Sequence, residues 1–500
     1  MRDYVLAIDQ GTTGTTVSVF DREGRVRGKG YAELPQHYPR PGWVEHDPEQ
    51  IWSTVLDAVG AAMNRASVSA SDLAAVGVTN QRETTVLWER GTGLPVHNAI
   101  VWQCRRTADE CERIAASEAA DTIRAKTGLV VDAYFSATKV KWLFDHIPGL
   151  LDRAQRGEIC FGTVDSWLLW KLSGGTVHAT DASNASRTML FNIHSLDWDL
   201  ELLSLFGVCP DVLPRVVPSS GVIGETSDRY GAPAGIPIAG VAGDQQAALF
   251  GQGCLAPGDV KCTYGTGAFV LMNTGAQPVQ AGRGLISTVA WMVDGKPTYA
   301  LEGSVFICGA AVQWLRDGLG LISSAAETEE LAASVPDTGG VYFVPAFVGL
   351  GAPYWNPHAR GLITGLTRGT TKAHIVRAAL EAMAYQVYDL LAEMHSEFGA
   401  EVPSIRADGG AAANNWLMQF QADILGIPVL RPQNIETTAM GAAVLAGIAV
   451  GLWKSGEELI NTGFRDQFSP RMDQRRRNAL LDGWRRAVEV ANSPSLKADA

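Results

Sequence analysis

No part of this 500-residue sequence carries the GxxxxGK[ST] signature of a P-loop, which excludes that route to nucleotide phosphates. Cysteine is sparse and unpatterned. The seven, at 104, 111, 160, 209, 254, 262 and 308, are odd in number, form no CxxC pair and lack zinc-ligand spacing. Neither a disulfide framework nor a zinc fold is expected, and reduced, mostly buried thiols in a cytoplasmic setting are. Charge is modest too, at 19% of residues, with 41 basic against 53 acidic side chains and a net charge of −12. That balance argues against nucleic acid or an anionic membrane as a partner. It leaves room for anionic small molecules, because local dipoles and single cations bind phosphate inside acidic proteins. The uncharged stretch Ala439 to Trp453 is too short to span a bilayer, and its Ala and Gly content suits a tightly packed helix. Met1-Arg2-Asp3-Tyr4 runs into a strand-like stretch with no signal-peptide pattern, so no membrane insertion is expected.

What is present describes a large globular protein, 46% hydrophobic. Its length predicts two domains with a cleft between them, divided near residue 250 in Gly251-Gln252-Gly253, so 1–250 and 251–500. Val5 to Ile8, a turn at Gly11 to Gly14, and Thr16 to Phe20 predict a hairpin. A similar unit returns as Val260 to Thr263, the turn Tyr264-Gly265-Thr266-Gly267, and Ala268 to Met272, which suggests a duplication. Helical spacing marks Gln50 to Met63, Ser136 to His146, Lys372 to Phe398 and Ala411 to Leu425. Strands and helices mix throughout, so the fold class is α/β. Gly251-Gln252-Gly253 follows a helix-like run, not a strand, and so fails the context a dinucleotide fingerprint needs.

Several polar clusters admit both a chemical and a purely structural reading. Asp9-Gln10-Gly11-Thr12-Thr13 ends a buried strand and can cradle phosphate through hydroxyls and backbone N–H groups, or can simply be a capped turn. Asp244, after the apolar run Ile236 to Val241, is placed either to accept a substrate proton or to cap a helix. Asn80-Gln81-Arg82-Glu83-Thr84 offers donors and acceptors for vicinal hydroxyls, or exposed ion pairs. Trp102 and Phe269 can wall a carbon chain or merely pack. Asp408-Gly409-Gly410 permits close approach of a ring or phosphate, or is a tight turn. Arg471 to Arg486 interleaves its arginines with Leu480, Leu481, Trp484 and Val488 as a surface helix does.

In chain order these segments, with Tyr134-Phe135-Ser136-Ala137-Thr138-Lys139, resemble the FGGY carbohydrate kinases, and within them the branch acting on glycerol, from Tyr4 to about Trp453. The resemblance implies two ribonuclease-H-like domains of the actin, heat-shock chaperone and sugar kinase type, closing over Mg-ATP. It implies that Arg82, Glu83, Tyr134, Asp244 and Gln245 bind glycerol, with Trp102 and Phe269 as the apolar wall. Asp244 is the implied base, and Asp9 and Asp244 the groups near Mg2+. Thr12, Thr13, Gly14, Thr16 and Thr266 resemble the phosphate contacts, and Gly309, Gln313, Gly410 and Asn414 the nucleotide side. A homo-oligomer, dimer or tetramer, is implied as well. There are departures. Relatives continue the first loop with Ser and a nearby Arg, where this chain has Gly14-Thr15-Thr16. Some also carry a Gly/Lys-rich loop for a sugar bisphosphate inhibitor, whereas Tyr230 to Gly235 is shorter and has no cation, so such inhibition is not expected. A kinase of a pentulose, or an ATP-driven switch without chemistry, are the alternatives on this fold.

Overall fold

In a computed structural model of the chain, residues 2–282, 284–356, 358–433, 436–456, 459 and 464–493 are described. Among the described residues, thirteen strands form one continuous sheet. In chain order they are β1 Tyr4–Gln10, β2 Gly14–Phe20, β3 Val26–Glu33, β4 Leu73–Asn80, β5 Ser220–Glu225, β6 Pro237–Gly243 and β7 Val260–Tyr264. There follow β8 Ala268–Gly275, β9 Ile286–Val293, β10 Lys296–Val305, β11 Ile405–Asp408, β12 Val429–Pro432 and β13 Phe464–Phe468. The spatial order is β13-β12-β11-β7-β8-β10-β9-β5-β6-β4-β1-β2-β3.

The same five-strand pattern occurs twice. In the first half β3, β2 and β1 form an antiparallel meander, and β4 and then β6 lie parallel beside β1. In the second half β10, β8 and β7 repeat the meander, and β11 and β12 repeat the parallel pair. The two halves touch along the sheet through Ser220 of β5 and Val293 of β9. Because β1, β4 and β6 run parallel, their carboxyl ends collect on one edge, where loops of an open α/β sheet bind ligands.

Three of the four helices expected from apolar spacing form as single helices. The first runs Pro48–Ala66, capped by Asp47 and longer at both ends than its apolar stripe suggests. Another begins at Ala137 and ends at His146. Lys372–Phe398 ends where Gly399 adopts a left-handed φ of 75°. The stretch expected as one helix from Ala411 is instead a short 3-10 turn, Gly410–Ala413, and then a helix over Asn415–Leu425. Asn414 is the cause. Its side chain accepts the Leu417 N–H, which starts the second helix afresh.

The uncharged segment forms the helix Thr437–Ala449, which lies against β1, β4 and β6 of the first half although it comes late in the chain. Gly77 of β4 lets the Ala442 carbonyl approach, and Gly441 lets the helix meet Ala247. Any side chain at either position would collide with backbone. Its core joins residues of both halves, among them Val5, Ala75, Leu271 and Ala300. Gln474–Ala491 is the expected surface helix, burying Leu481, Trp484 and Val488. All seven cysteines are free, six of them buried. Among the described residues no helix is long and apolar enough to cross a membrane.

Candidate active site

Three parallel strands deliver the first group of polar residues. In register, Asp9 of β1 pairs with Thr79 of β4, which also pairs with Ala242 of β6. Asp9, Asn80 to Glu83 and Asp244 therefore leave the same edge of the sheet together. Asp244 is the first residue of the helix Asp244–Gly251, with Gly243 as cap. Its Oδ1 accepts the Gln245 N–H at 2.7 Å within the first turn, so Gly243 and not Asp244 is the cap, and one edge of the carboxylate stays exposed. The side chain is 28% exposed, open enough to meet a ligand.

The turn between β1 and β2 closes through the Gly11 N–H donating to the Gly14 carbonyl at 2.9 Å. Thr13 is exposed at its tip, and Thr12 and Thr16 are half-buried. Thr16 stands opposite Asp9 on the neighbouring strand. Gly14 is dictated by packing, since a Cβ there would lie 2.6 Å from the Tyr31 hydroxyl and 2.7 Å from the Ala32 carbonyl. Tyr31 thus occupies the space that a side chain at 14 would need. Burial, helped by the like charges of Asp244 and Glu436, pushes the Asp9 carboxyl up to about 8. Lys29, paired with Glu436 at 2.5 Å, opposes this only in part. Such mutually repelling carboxylates suit a hard divalent cation held with phosphate oxygens and water. Among the described residues no group of three or more His, Cys, Asp or Glu forms a protein-only metal cage.

Arg82 and Glu83 are 2% and 1% exposed, which sets aside the reading of a solvated ion pair. Arg82 donates from Nη1 to Glu302 Oε2 at 2.5 Å and from Nη2 to Glu302 Oε1 at 2.9 Å. Its Nε lies 3.4 Å from Asp244 and 3.6 Å from Glu83. Arg187 completes the cluster, donating to Glu83 at 2.7 Å and to Glu302 at 3.0 Å. Burial opposes ionisation of Glu302, yet Arg187 and Arg82 hold it down to about 2. Glu83 is raised instead, burial outweighing the same two arginines. Ser136 and Lys139 grip the Glu83 carbonyl at 3.0 and 3.4 Å, and Lys139 also holds the Tyr134 carbonyl.

Above this cluster, Tyr134 receives an Arg82 hydrogen bond at 3.3 Å and packs edge-on against Trp102 with ring centroids 5.5 Å apart. Trp102 donates from Nε1 to Thr12 Oγ1 at 2.9 Å, tying the aromatic wall to the phosphate-loop candidate. Phe269 sits half-buried on β8, packed beside the core that includes Phe250 and Leu271.

The second half contributes Lys261 of β7, a buried ammonium that donates to Gln245 Oε1 at 2.5 Å and to Thr263 at 3.0 Å. Its positive charge faces Asp408 and Asp244. The turn carrying Gly265 and Thr266 is exposed. Gly309, at the start of Gly309–Gln313, donates to the Gly265 carbonyl at 2.9 Å, and Gln313 is exposed one turn on. Gly409, with φ 87°, abuts Tyr264, while Gly410 beside it faces open space. Asn414 already spends its side chain, accepting from Leu417 at 2.9 Å and donating to Thr328 at 3.1 Å.

This arrangement has close counterparts. The family model for the N-terminal domain of FGGY carbohydrate kinases matches residues 4–251, and the C-terminal one residues 260–450. The chain belongs to the FGGY family of carbohydrate kinases. It is 58% identical over 491 residues to the glycerol kinase of Carboxydothermus hydrogenoformans, covering 98% of each. It is 59% identical to that of Symbiobacterium thermophilum, again over 98% of each. The solved glycerol kinase of Plasmodium falciparum with ADP superposes with a TM-score of 0.92 at 36% identity, covering 98% of each chain.

As a member of this family the chain is a kinase. Three residues of its polar cluster escaped the sequence reading, namely Arg187, Lys261 and Glu302. Lys261 and Glu302 each stand as a lone charge inside an apolar strand, Val260-Lys261-Cys262 and Leu301-Glu302-Gly303. That pattern is itself a sign of a buried, paired group.

Proposed function

We propose that this kinase transfers the γ-phosphoryl group of ATP to a terminal hydroxyl of glycerol, giving glycerol 3-phosphate and ADP. The observation that carries the reading is the buried Arg82–Glu83–Glu302–Arg187 cluster beside the open edge of Asp244, walled by Trp102 and Tyr134. Such a site presents charged donors and acceptors to hydroxyls and an aromatic face to a short carbon chain. The glycerol kinases of Carboxydothermus hydrogenoformans and Symbiobacterium thermophilum, to which the chain is similar, support the same substrate.

Asp244 accepts the proton of the attacking hydroxyl as its oxygen bonds to phosphorus and the bond to the ADP oxygen breaks. Arg82 fixes that carboxylate, and Lys261 fixes Gln245 beside it. Thr12, Thr13 and the amides of their turn hold phosphate from one side, and Thr266 holds it from the other. Gly309, Gln313, Gly410 and the backbone near Asn414 take the nucleotide. Asp9 and Asp244 would hold magnesium, which supplies charge neutralisation to the phosphates. Transfer is direct, without a phosphoenzyme, and the two halves act as the closing units that keep water out, the helix Thr437–Ala449 moving with the first. Cytoplasmic placement and an oligomeric assembly belong to the same proposal.

Initial rates with ATP, excess magnesium and a panel of glycerol, dihydroxyacetone, xylulose and ribulose test the substrate. Glycerol should show the largest kcat/KM, and a pentulose preferred over it would overturn the assignment.

A further inference from the structure

We propose that Ser183, anchored by the buried carboxylate of Asp181, is a positioning residue for Asp244, an inference that rests on the reading of Asp244 as the base. The sheet leaves one place unfilled beside that residue. Strand β5 begins at Ser220, opposite Gly240 of β6, and beyond Gly240 the described strands pair β6 only with β4. The Val241 N–H still reaches the Ser219 carbonyl at 2.9 Å. Two residues on, the same edge of β6 presents the Gly243 N–H, which donates to Ser183 Oγ at 2.9 Å. A hydroxyl thus stands in for a strand carbonyl at the residue that precedes Asp244.

Gly243 decides the position of two site residues. Asp244 follows it directly, and a Cβ on Gly243 would lie 2.8 Å from Arg82 Cγ and 2.9 Å from Gln246 Oε1, so the Arg82 stem rests on its backbone. A shift of this backbone moves the Asp244 carboxylate and the guanidinium beside it together. Misplacing a reacting group by about 1 Å can cost on the order of 10²-fold in rate.

Asp181 sets the direction of the Ser183 hydroxyl. It is fully buried and accepts five hydrogen bonds. Burial raises its carboxyl, and the bonds from Ser219, Asn184 and Ser183 act against this. Two of the five, from the Ser183 and Asn184 N–H groups at 3.0 Å each, are the ordinary capping of the helix Ala182–Ala185. The other three exceed what a cap needs, coming from Ser183 Oγ and Asn184 Nδ2 at 2.9 Å and from Ser219 Oγ at 2.7 Å. A carboxylate only accepts, so the Ser183 proton points to Asp181 and an oxygen lone pair is left for Gly243. Asn184 in turn exchanges two amide bonds, 3.0 and 3.2 Å long, with Asn80, the last residue of β4. One buried carboxylate therefore anchors the ends of both strands that lead to Arg82 and Asp244.

Single-turnover rates of phosphoryl transfer from magnesium ATP to glycerol, with steady-state KM values beside them, test the role. The chains compared are Ser183→Ala, which removes one buried oxygen, Ser183→Thr, Asp244→Asn and the Ser183→Ala/Asp244→Asn double variant. Ser183→Ala should transfer about tenfold or more slowly with both KM values within about threefold, and Ser183→Thr, which keeps the hydroxyl, should recover most of the loss. Because Ser183 acts through Asp244, the double variant should be no slower than Asp244→Asn alone, whereas a general packing defect would multiply the two losses. An unaltered rate in Ser183→Ala beside an impaired Asp244→Asn overturns the positioning role and leaves the reading of the base standing. Losses that multiply, or no recovery in Ser183→Thr, overturn it in the same way. An unaltered rate in Asp244→Asn removes the reading of the base and the positioning role with it.

Discussion

Arg82 and Glu302 lie 220 residues apart and meet through two parallel hydrogen bonds, 2.5 and 2.9 Å long, inside the molecule. One stands after β4 of the first half, the other on β10 of the second. The pair therefore sets the position of the guanidinium that approaches Asp244, and does so from the opposite half of the sheet. Glu302→Gln should leave Arg82 and Arg187 under-compensated in a buried site. The expected cost is about 3–5 kcal/mol of stability, read from urea unfolding. Glycerol KM should rise with it, because Arg82 loses the partner that holds it in place.

Asp9 should give the enzyme an unusual pH response. Its carboxyl is raised to about 8 in the folded chain, from an ordinary value of 3.8. The protonated form is thus favoured by folding, so its stabilising effect is complete at low pH and is lost as pH rises through about 8. Asp9→Asn should then melt a few degrees above the unaltered ligand-free enzyme at alkaline pH and nearly with it at acid pH, by calorimetry. The same variant should lose most of its turnover, and magnesium nucleotide should release protons on binding to the unaltered enzyme only.

Trp102 joins the Tyr134 ring to the proposed phosphate loop through its bond to Thr12. Trp102→Phe keeps a ring against Tyr134 but removes the donor. An increase of about tenfold or less in the KM of ATP is expected, with glycerol KM moving less. The opposite pattern would make Trp102 a wall alone.

Tyr230 heads the loop that lacks a cation of its own. Lys171 and Arg229 lie over its ring at 4.5 and 5.2 Å, but Lys171 is paired to Glu49 and Arg229 donates to the Gly174 carbonyl. Fructose 1,6-bisphosphate should therefore leave the initial rate unchanged, and a saturating inhibition curve would refute this.

Much of the candidate site is legible in the chain, because its parts are short and contiguous. Asp9 with its threonines, Arg82-Glu83 and Asp244 each sit where an apolar strand stops, and that boundary is visible in sequence. Both hairpins were legible for the same reason. What could not be read is pairing between distant segments. Nothing local says that Glu302 faces Arg82, that Lys261 holds Gln245, or that Trp102 reaches Thr12. The sheet's continuity through Ser220 and Val293 and the placement of Thr437–Ala449 on the first half are likewise tertiary facts. The break at Asn414 escaped because the apolar spacing of Trp416, Phe420 and Ile424 continues across a cap that only backbone geometry reveals.

The most direct measurement is coupled ADP production by the purified chain with and without glycerol, made in parallel for Asp244→Asn, with the product identified by phosphorus NMR. ADP should appear only when glycerol is present, one equivalent of glycerol 3-phosphate should form with it, and Asp244→Asn should fall by about 10²–10⁴-fold in kcat. ADP formation indifferent to glycerol, or unchanged in Asp244→Asn, would contradict a glycerol-phosphorylating enzyme with Asp244 as its base.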